Sequence, residues 1–378
     1  MLDIRVPRPY KLYNLVAARL RPGRPDAAEI SQVLAAYELG QLKGYRQPAI
    51  GPSRSRNLML DLGNGWKVLK RYKSTMSFEG ITYEHSVLMH LADSGFPSPR
   101  LILDKTGETC LALAGKYYAL FDFVPGFKYT DYYVSAKARA FFLAQAGQTL
   151  ARYHQIMEGF VPAGKKLDGF APDGQRRWLA KSWYLDRLAE YAALFRKGDS
   201  GSALEQFFAA NLDRLARSYG DLEKKVEENR GRLPKVVNHG DYGPYNILFD
   251  KEGVAAVLDF ECVHLDCRAT DVIQALRYFA GRDVGTDHKV ALDYAGARVF
   301  LQAYASIYPL SVGEIELIPD ISRLALLRKL VNYFRDYFAS GNLLKLHSAR
   351  RAAAWVDWMS GHGDSLIEVL LAFKPAGV

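Results

Sequence analysis

The 378-residue chain is 49% hydrophobic and 24% charged, the make-up of a globular protein with a large core, and its length allows two or three domains. Its net charge of +9 comes from lysines and arginines scattered along the chain, with a modest concentration between Arg5 and Arg24. That scatter fits a solvated surface better than a nucleic-acid platform. No apolar run approaches the roughly 18 residues that cross a bilayer, and the start MLDIRVPRPYKLYN lacks the apolar stretch of a signal peptide, so a cytoplasmic protein with no membrane contact is expected. Cys110, Cys262 and Cys267 form neither a C-x-x-C pair nor a zinc pattern, and read as reduced structural thiols.

In chain order, a helix is expected from Glu29 to Leu39, within an N-terminal extension of residues 1–44. Leu58, Leu60 and Leu62 alternate, Gly63-Asn64-Gly65 supplies a turn, and Trp66 to Arg71 resumes an extended pattern, which together spell a β-hairpin. Ile81, Glu84, Leu88 and Leu91 fall at helical spacing between Phe78 and Asp93, and Gly95 with Pro97 stops that helix. Strand patterns return at Leu101 to Leu103, Cys110 to Leu113 and Tyr117 to Val124, closed by Pro125-Gly126.

Beyond Gly126 the pattern is mostly helical. Leu143, Gly147, Leu150, His154 and Met157 share one helix face, and amphipathic segments follow near 176 to 196 and 203 to 228. One β island interrupts this at Val236-Val237, Ile247 to Phe249 and Val254 to Leu258, with a turn at Asp250 to Gly253. After it, helix is expected nearly to the end. His154 on its buried face reads as a hydrogen-bonded structural histidine.

The island carries the chemistry. In VVNHGDYGPYNILFDKEGVAAVLDFE, Asp241 precedes Asn246 by five residues and Asn246 precedes Asp259 by thirteen. If residues 247–258 form a hairpin, Asn246 enters one strand where Asp259 leaves the other, so an amide oxygen and a carboxylate converge. Such a pair suits Mg²⁺, a hard cation that keeps waters and shares its shell with substrate phosphates. Asp241, one short loop away, is then free to take the proton of a substrate hydroxyl as general base. Each residue alone reads as easily as a turn residue, and the joint spacing is what points to function.

HGDYGPYNILFD followed by VLDFE resembles the signature of the aminoglycoside phosphotransferase and choline kinase superfamily, including its spore-coat-kinase-like branch. The resemblance spans roughly residues 45–345. It implies an α+β, bilobal protein-kinase-like fold: a small antiparallel-sheet N-lobe (residues 1–124 with the extension), a larger mainly helical C-lobe (125–378), and ATP between them. It also implies Asp241 as catalytic base, Asn246 and Asp259 as metal ligands, and His239 as an organiser of the loop.

Against that picture, strand alternation in WKVLKRYK puts Val68 and Lys70 on one face and Lys67, Leu69 and Arg71 on the other. Lys70 becomes the phosphate contact and Glu84, on the next helix, its partner; the bland alternative is two solvated charges. In IGPSRSRNL, Ser53 and Ser55 sit where a phosphate-covering loop belongs, although the segment departs from Gly-x-Gly-x-x-Gly and reads equally as a surface turn. YYALFDFVPG resembles the linker between lobes, with Asp122, Phe123 and Val124 as candidates for the adenine edge and at least one of Phe121 and Phe123 in the core. Asp266, Arg268 and Asp271 read as structural. Glu261 fits a second Mg²⁺, a substrate amine or a loop-stabilising role.

The expected function is therefore an ATP- and Mg²⁺-dependent phosphotransferase acting on a hydroxyl of a small molecule; aminoglycoside, choline, homoserine and sugar alcohol all remain compatible acceptors. No Gly-x4-Gly-Lys-Ser/Thr motif is present, against a P-loop enzyme. A protein kinase ranks second, since DFE stands in place of DFG and no A-P-E follows. A nucleotide-binding pseudokinase or coat-type structural protein is the non-enzymatic alternative.

Overall fold

A computed structural model of the chain describes residues 4–7, 25–46, 56–166, 181–197, 202–285 and 288–372. Ser53 and Ser55 lie outside the described residues. The first elements are Ile4–Pro7 (β1), Ala27–Leu34 (α1), Gly44–Arg46 (β2), Arg56–Asp61 (β3), Trp66–Arg71 (β4), Phe78–Asp93 (α2), Leu101–Ile102 (β5), Leu111–Leu113 (β6), Lys116–Asp122 (β7) and Tyr132–Val134 (β8). Strands β2-β3-β4-β7-β5 form one antiparallel sheet in that order, β6 also pairs with β7, and β1 pairs with β8.

The β3–β4 turn forms because Gly63 and Gly65 take positive φ (78° and 143°) and the Gly63 N–H donates to the Asp61 carboxylate at 3.0 Å. The register then sets Leu58 opposite Leu69. Leu58, Leu60, Leu69, Tyr118 and Leu120 line one sheet face, and Ile30 and Val33 of α1 close over them with essentially no exposure. Burying each such side chain contributes about 1.5–3 kcal/mol, which is why α1 docks on the sheet. The helix ends at Leu34 rather than Leu39 because the chain tightens into turns there, Ala36 and Tyr37 N–H donating to Val33 and Leu34 carbonyls. Tyr37 still reaches the core.

Helix α2 spans the expected residues. The Ser77 hydroxyl caps it by accepting from Gly80 N–H at 3.1 Å, and Gly95 at φ 67° ends it. The sheet alternation also holds: Leu69 and Arg71 face α1, where Arg71 pairs with Glu29, and Lys70 faces α2.

The remaining elements are Ala136–Ile156 (α3), Lys181–Lys197 (α4), Ala203–Glu228 (α5), Lys235–Asn238 (β9), Ile247–Phe249 (β10), Val254–Val257 (β11), His264–Cys267 (β12), Arg268–Ala280 (α6), Gly281–Val284 (β13), Lys289–Leu292 (β14), Tyr294–Ala305 (α7), Val312–Ser340 (α8) and Leu343–Leu371 (α9). The expectation of helix nearly to the end after the β island needs correcting. Strand β12 pairs antiparallel with β9, and β13 with β14 makes a further hairpin. Segments of four residues are too short to display a period of two against the helical pattern around them.

Two compact units result, and neither is a single stretch of sequence. Met1–Gln145, Gly159–Gly174 and Asp241–Val263 form one; Ala146–Glu158, Gln175–Gly240 and His264–Val378 form the other. In the second unit α6 is buried along nearly its whole length, and the Arg268 guanidinium grips Glu314 of α8 through two 2.7 Å bonds. Glu314 also completes a capping box with Ser311. No helix among the described residues is long and apolar enough to cross a membrane.

Gly147 of α3 lies against α7 so closely that a Cβ would sit 2.3 Å from the Phe300 carbonyl oxygen, whereas a Cβ on Gly220 of α5 meets nothing nearer than 4.0 Å. Gly147→Ala should therefore cost about 1–3 kcal/mol in denaturant unfolding. Gly220→Ala should be neutral or gain up to about 1 kcal/mol.

Candidate active site

The hairpin predicted from residues 247–258 is present. Asp250 makes its turn by accepting N–H bonds from Glu252 (2.7 Å) and Gly253 (2.9 Å), and β10 and β11 pair from Ile247–Val257 outward. At the open end the Leu258 N–H donates to the Asn246 carbonyl at 2.7 Å, so Asn246 and Asp259 leave the hairpin side by side. The Asn246 amide donates to the Asp241 backbone carbonyl (2.9 Å) and carboxylate (3.1 Å). Tyr245 donates its hydroxyl to the same carboxylate at 2.8 Å. Asp241, Asn246 and Asp259 thus come together as the spacing required.

Asp259 adopts φ 65°, a left-handed conformation that costs a non-glycine residue roughly 1–3 kcal/mol, and opens the 3-10 turn Phe260–Cys262. The donor set suits a hard cation: with its Nδ2 committed to Asp241, Asn246 keeps Oδ1 as an acceptor, and Asp259, the residue after the Leu258 that pairs with Asn246, adds a carboxylate. Among the described residues no three His, Cys, Asp or Glu side chains gather as a metal cluster. Mg²⁺ held here would complete its shell with water and phosphate.

Lys70 of β4 is buried and pairs with Glu84 of α2 at 2.7 Å and with Glu261 at 3.4 Å. Burial works against its ammonium, but Glu84, Tyr72, Glu261 and Asp259 outweigh it and hold the Lys70 pKa well above the ordinary lysine value. Glu261 also pairs with Lys73. With two lysines on its carboxylate, Glu261 supports the loop-stabilising reading over the other two.

Asp271 of α6 accepts the N–H groups of His239 (2.6 Å) and Gly240 (2.9 Å), the residues that lead into Asp241. Burial opposes its charge, yet its hydrogen bonds with His154 and the Gly240 backbone keep its pKa below the usual range. His154 is buried, bonded to Tyr304 at 2.8 Å and 3.4 Å from Asp271, and burial lowers its pKa; it is the buried, hydrogen-bonded histidine expected.

Of the linker candidates, Asp122 has its N–H bonded to the Arg100 carbonyl and its carboxylate to Lys67. Phe121 is in the core and Phe123 half-buried. Sequence reasoning missed Lys166, which reaches the Glu261 carbonyl at 2.8 Å from a segment bearing no motif.

The family model described as "Phosphotransferase enzyme family" matches residues 46–310. The chain belongs to this family. A homoserine kinase of Rhodopseudomonas palustris (strain TIE-1) is 29% identical over 311 residues, covering 82% of this chain and 85% of that protein. Among solved structures, the aminoglycoside phosphotransferase of Alicyclobacillus acidocaldarius subsp. acidocaldarius DSM 446 superposes with TM-score 0.60 at 15% identity over 94% of this chain and 99% of that one. Amicoumacin kinase hAmiN, in complex with AMP-PNP and Ca²⁺, gives 0.58 at 14% identity over 95% and 97%. The expected fold class, α+β and protein-kinase-like, is the one these phosphotransferases share.

His85 of α2 is buried between Tyr72 (2.7 Å) and Thr109 (2.8 Å), and burial lowers its pKa from 6.5 to about 4. Between those values the unfolded chain binds the proton and the folded chain does not. Stability should therefore fall as pH drops through this window, His85 alone contributing up to about 3 kcal/mol of the loss. His154 acts in the same direction. Thermal melts from pH 7 to pH 4 should show this decline, and His85→Gln should flatten it.

Proposed function

We propose that this phosphotransferase moves the γ-phosphate of ATP to the hydroxyl of a small amino-acid alcohol, with homoserine the acceptor that its similarity to the Rhodopseudomonas palustris kinase supports best. One observation carries the chemistry: Asn246 joins Asp241 through its amide and Asp259 through the Leu258 pairing, so base and metal ligands form one constellation.

Asp241 accepts the hydrogen bond of the acceptor hydroxyl and aims its oxygen at the γ-phosphorus. As the new O–P bond forms, the bond to the β,γ-bridging oxygen breaks, ADP departs and the proton passes to Asp241. Tyr245 and Asn246 hold the carboxylate in place by donating to its two oxygens. Lys70, kept charged by Glu84, neutralises the phosphates. Mg²⁺ held by Asn246 and Asp259 would supply further charge neutralisation on the β and γ groups.

The backbone groups of Asp122, Phe123 and Val124 are proposed for the adenine edge, Asp122 through its carbonyl because its N–H is bonded to Arg100. Ser53 and Ser55 are proposed to cover the phosphates. The border between a nucleotide part and an acceptor part is proposed between Val124 and Pro125, where β7 has ended and the breaker follows.

Mg²⁺-dependent ADP release, measured across homoserine, amino alcohols, aminoglycosides, sugars and a generic protein, tests this reading. Homoserine should stimulate turnover most, and Asp241→Asn should lower kcat by about 10²–10⁴. Stimulation by the protein substrate alone would favour the protein-kinase alternative. Nucleotide binding with no stimulation by any acceptor, unchanged in Asp241→Asn, would overturn the enzyme in favour of a pseudokinase.

A further inference from the structure

Lys166 is 4% exposed, a degree of burial that removes most of the hydration an ammonium needs and costs several kcal/mol unless the fold returns something. It arrives on a strap, Gly159–Lys166, that runs along α2. The strap is fixed to that helix at several points. His90 and Phe160 stack with ring centroids 4.0 Å apart, the Ser86 hydroxyl reaches the Ala163 carbonyl at 3.5 Å, and the Lys165 N–H donates to the Glu79 carbonyl at 3.1 Å.

Gly164 makes a close crossing. It has φ 79°, and a Cβ there would lie 2.4 Å from the Glu79 oxygen and 2.8 Å from the Tyr83 nitrogen. A residue with a side chain would push the strap away from the helix that carries Glu84.

At its end the Lys166 ammonium lies 5.6 Å from the Tyr83 ring centroid and donates to the Glu261 backbone carbonyl at 2.8 Å. Glu261 is the middle residue of the turn that Asp259 opens in its left-handed conformation. Lys70 and Lys73 hold the carboxylate of the same residue. The turn is therefore gripped by its side chain from β4 and the segment after it, and by its backbone from the strap.

We infer that Lys166 is a positioning residue for the proposed metal ligand Asp259, fixing the strained turn by its bond to the Glu261 carbonyl and referring it, through the strap, to α2. The inference rests on the proposed assignment of Asn246 and Asp259 as metal ligands. It also gives the strap a purpose: the helix that aligns Lys70 through Glu84 and the turn that presents Asp259 share one mechanical reference. Burial pulls the Lys166 pKa below the ordinary lysine value against Glu84 and Cys262, so the ammonium is held there at a cost.

Calorimetric titration of AMP-PNP into the full chain, with and without Mg²⁺, gives the factor by which the metal tightens nucleotide binding. Lys166→Met should reduce that factor about tenfold or more, as loss of outer-sphere support does at metal sites, with metal-free nucleotide affinity changed less than about twofold. Lys166→Arg should recover part of it. Gly164→Ala, which disturbs the strap and leaves the lysine in place, should reduce it in the same way, and melting curves identify any variant that fails to fold. A folded Lys166→Met or Gly164→Ala chain with the wild-type factor overturns the inference, as does a Lys166→Met chain that loses metal-free binding equally. A wild-type chain whose nucleotide binding ignores Mg²⁺ instead sinks the metal assignment itself.

Discussion

An ammonium taken out of water must be kept charged by its neighbours, and the sheet unit is organised around that requirement at Lys70. Strand β4 turns Lys70 toward α2, Glu84 meets it at 2.7 Å, and Glu261 approaches from the turn after β11. A single carboxylate would leave a buried pair whose net worth is small. The second carboxylate, and Lys73 on the far side of it, convert the pair into a network that ties sheet, helix and turn together. The opposite sheet face is held more simply. Ile30 and Val33 cover Leu58, Leu60 and Leu69, so the geometry of β4 is fixed by apolar packing from behind.

The Asp241 loop is held by different means. Its approach, His239-Gly240, gives both backbone N–H groups to Asp271, and Gln274 adds a bond to the Gly240 carbonyl at 2.7 Å. A carboxylate satisfied by fixed backbone donors is a rigid anchor, because its partners have no rotamers to lose. Past Asp241, Asn246 takes over, bonding to both the backbone and the carboxylate of that residue.

Much of this was legible in the sequence. Asn246 and Asp259 could be placed together because a hairpin of known turn chemistry converts a spacing into a proximity, and Lys70 could be assigned a face because strands alternate. His154 was readable as structural from its apolar helix face. What could not be read depends on where the chain goes between motifs. Nothing in AGKKLDG separates Lys166 from Lys165, since the difference lies in a glycine crossing α2 at van der Waals limits. Asp271 was legible as structural, but its targets were not, because pairing across 31 or 32 residues follows from how α6 packs against β9. The β13–β14 hairpin was missed because four-residue strands carry too little pattern.

The sheet unit draws on three stretches of sequence, the last being Asp241–Val263. Lys73 and Glu261 are 188 residues apart. A ribosome releasing this chain therefore exposes the sheet, α2 and the Lys70–Glu84 pair long before the carboxylate that completes their network exists. Until Glu261 emerges, the nascent unit holds a buried ammonium with one carboxylate partner and an open end where Phe249 of β10 will pair with Phe127. Such a long-range closure makes this unit slow to complete and exposed to misassembly during synthesis.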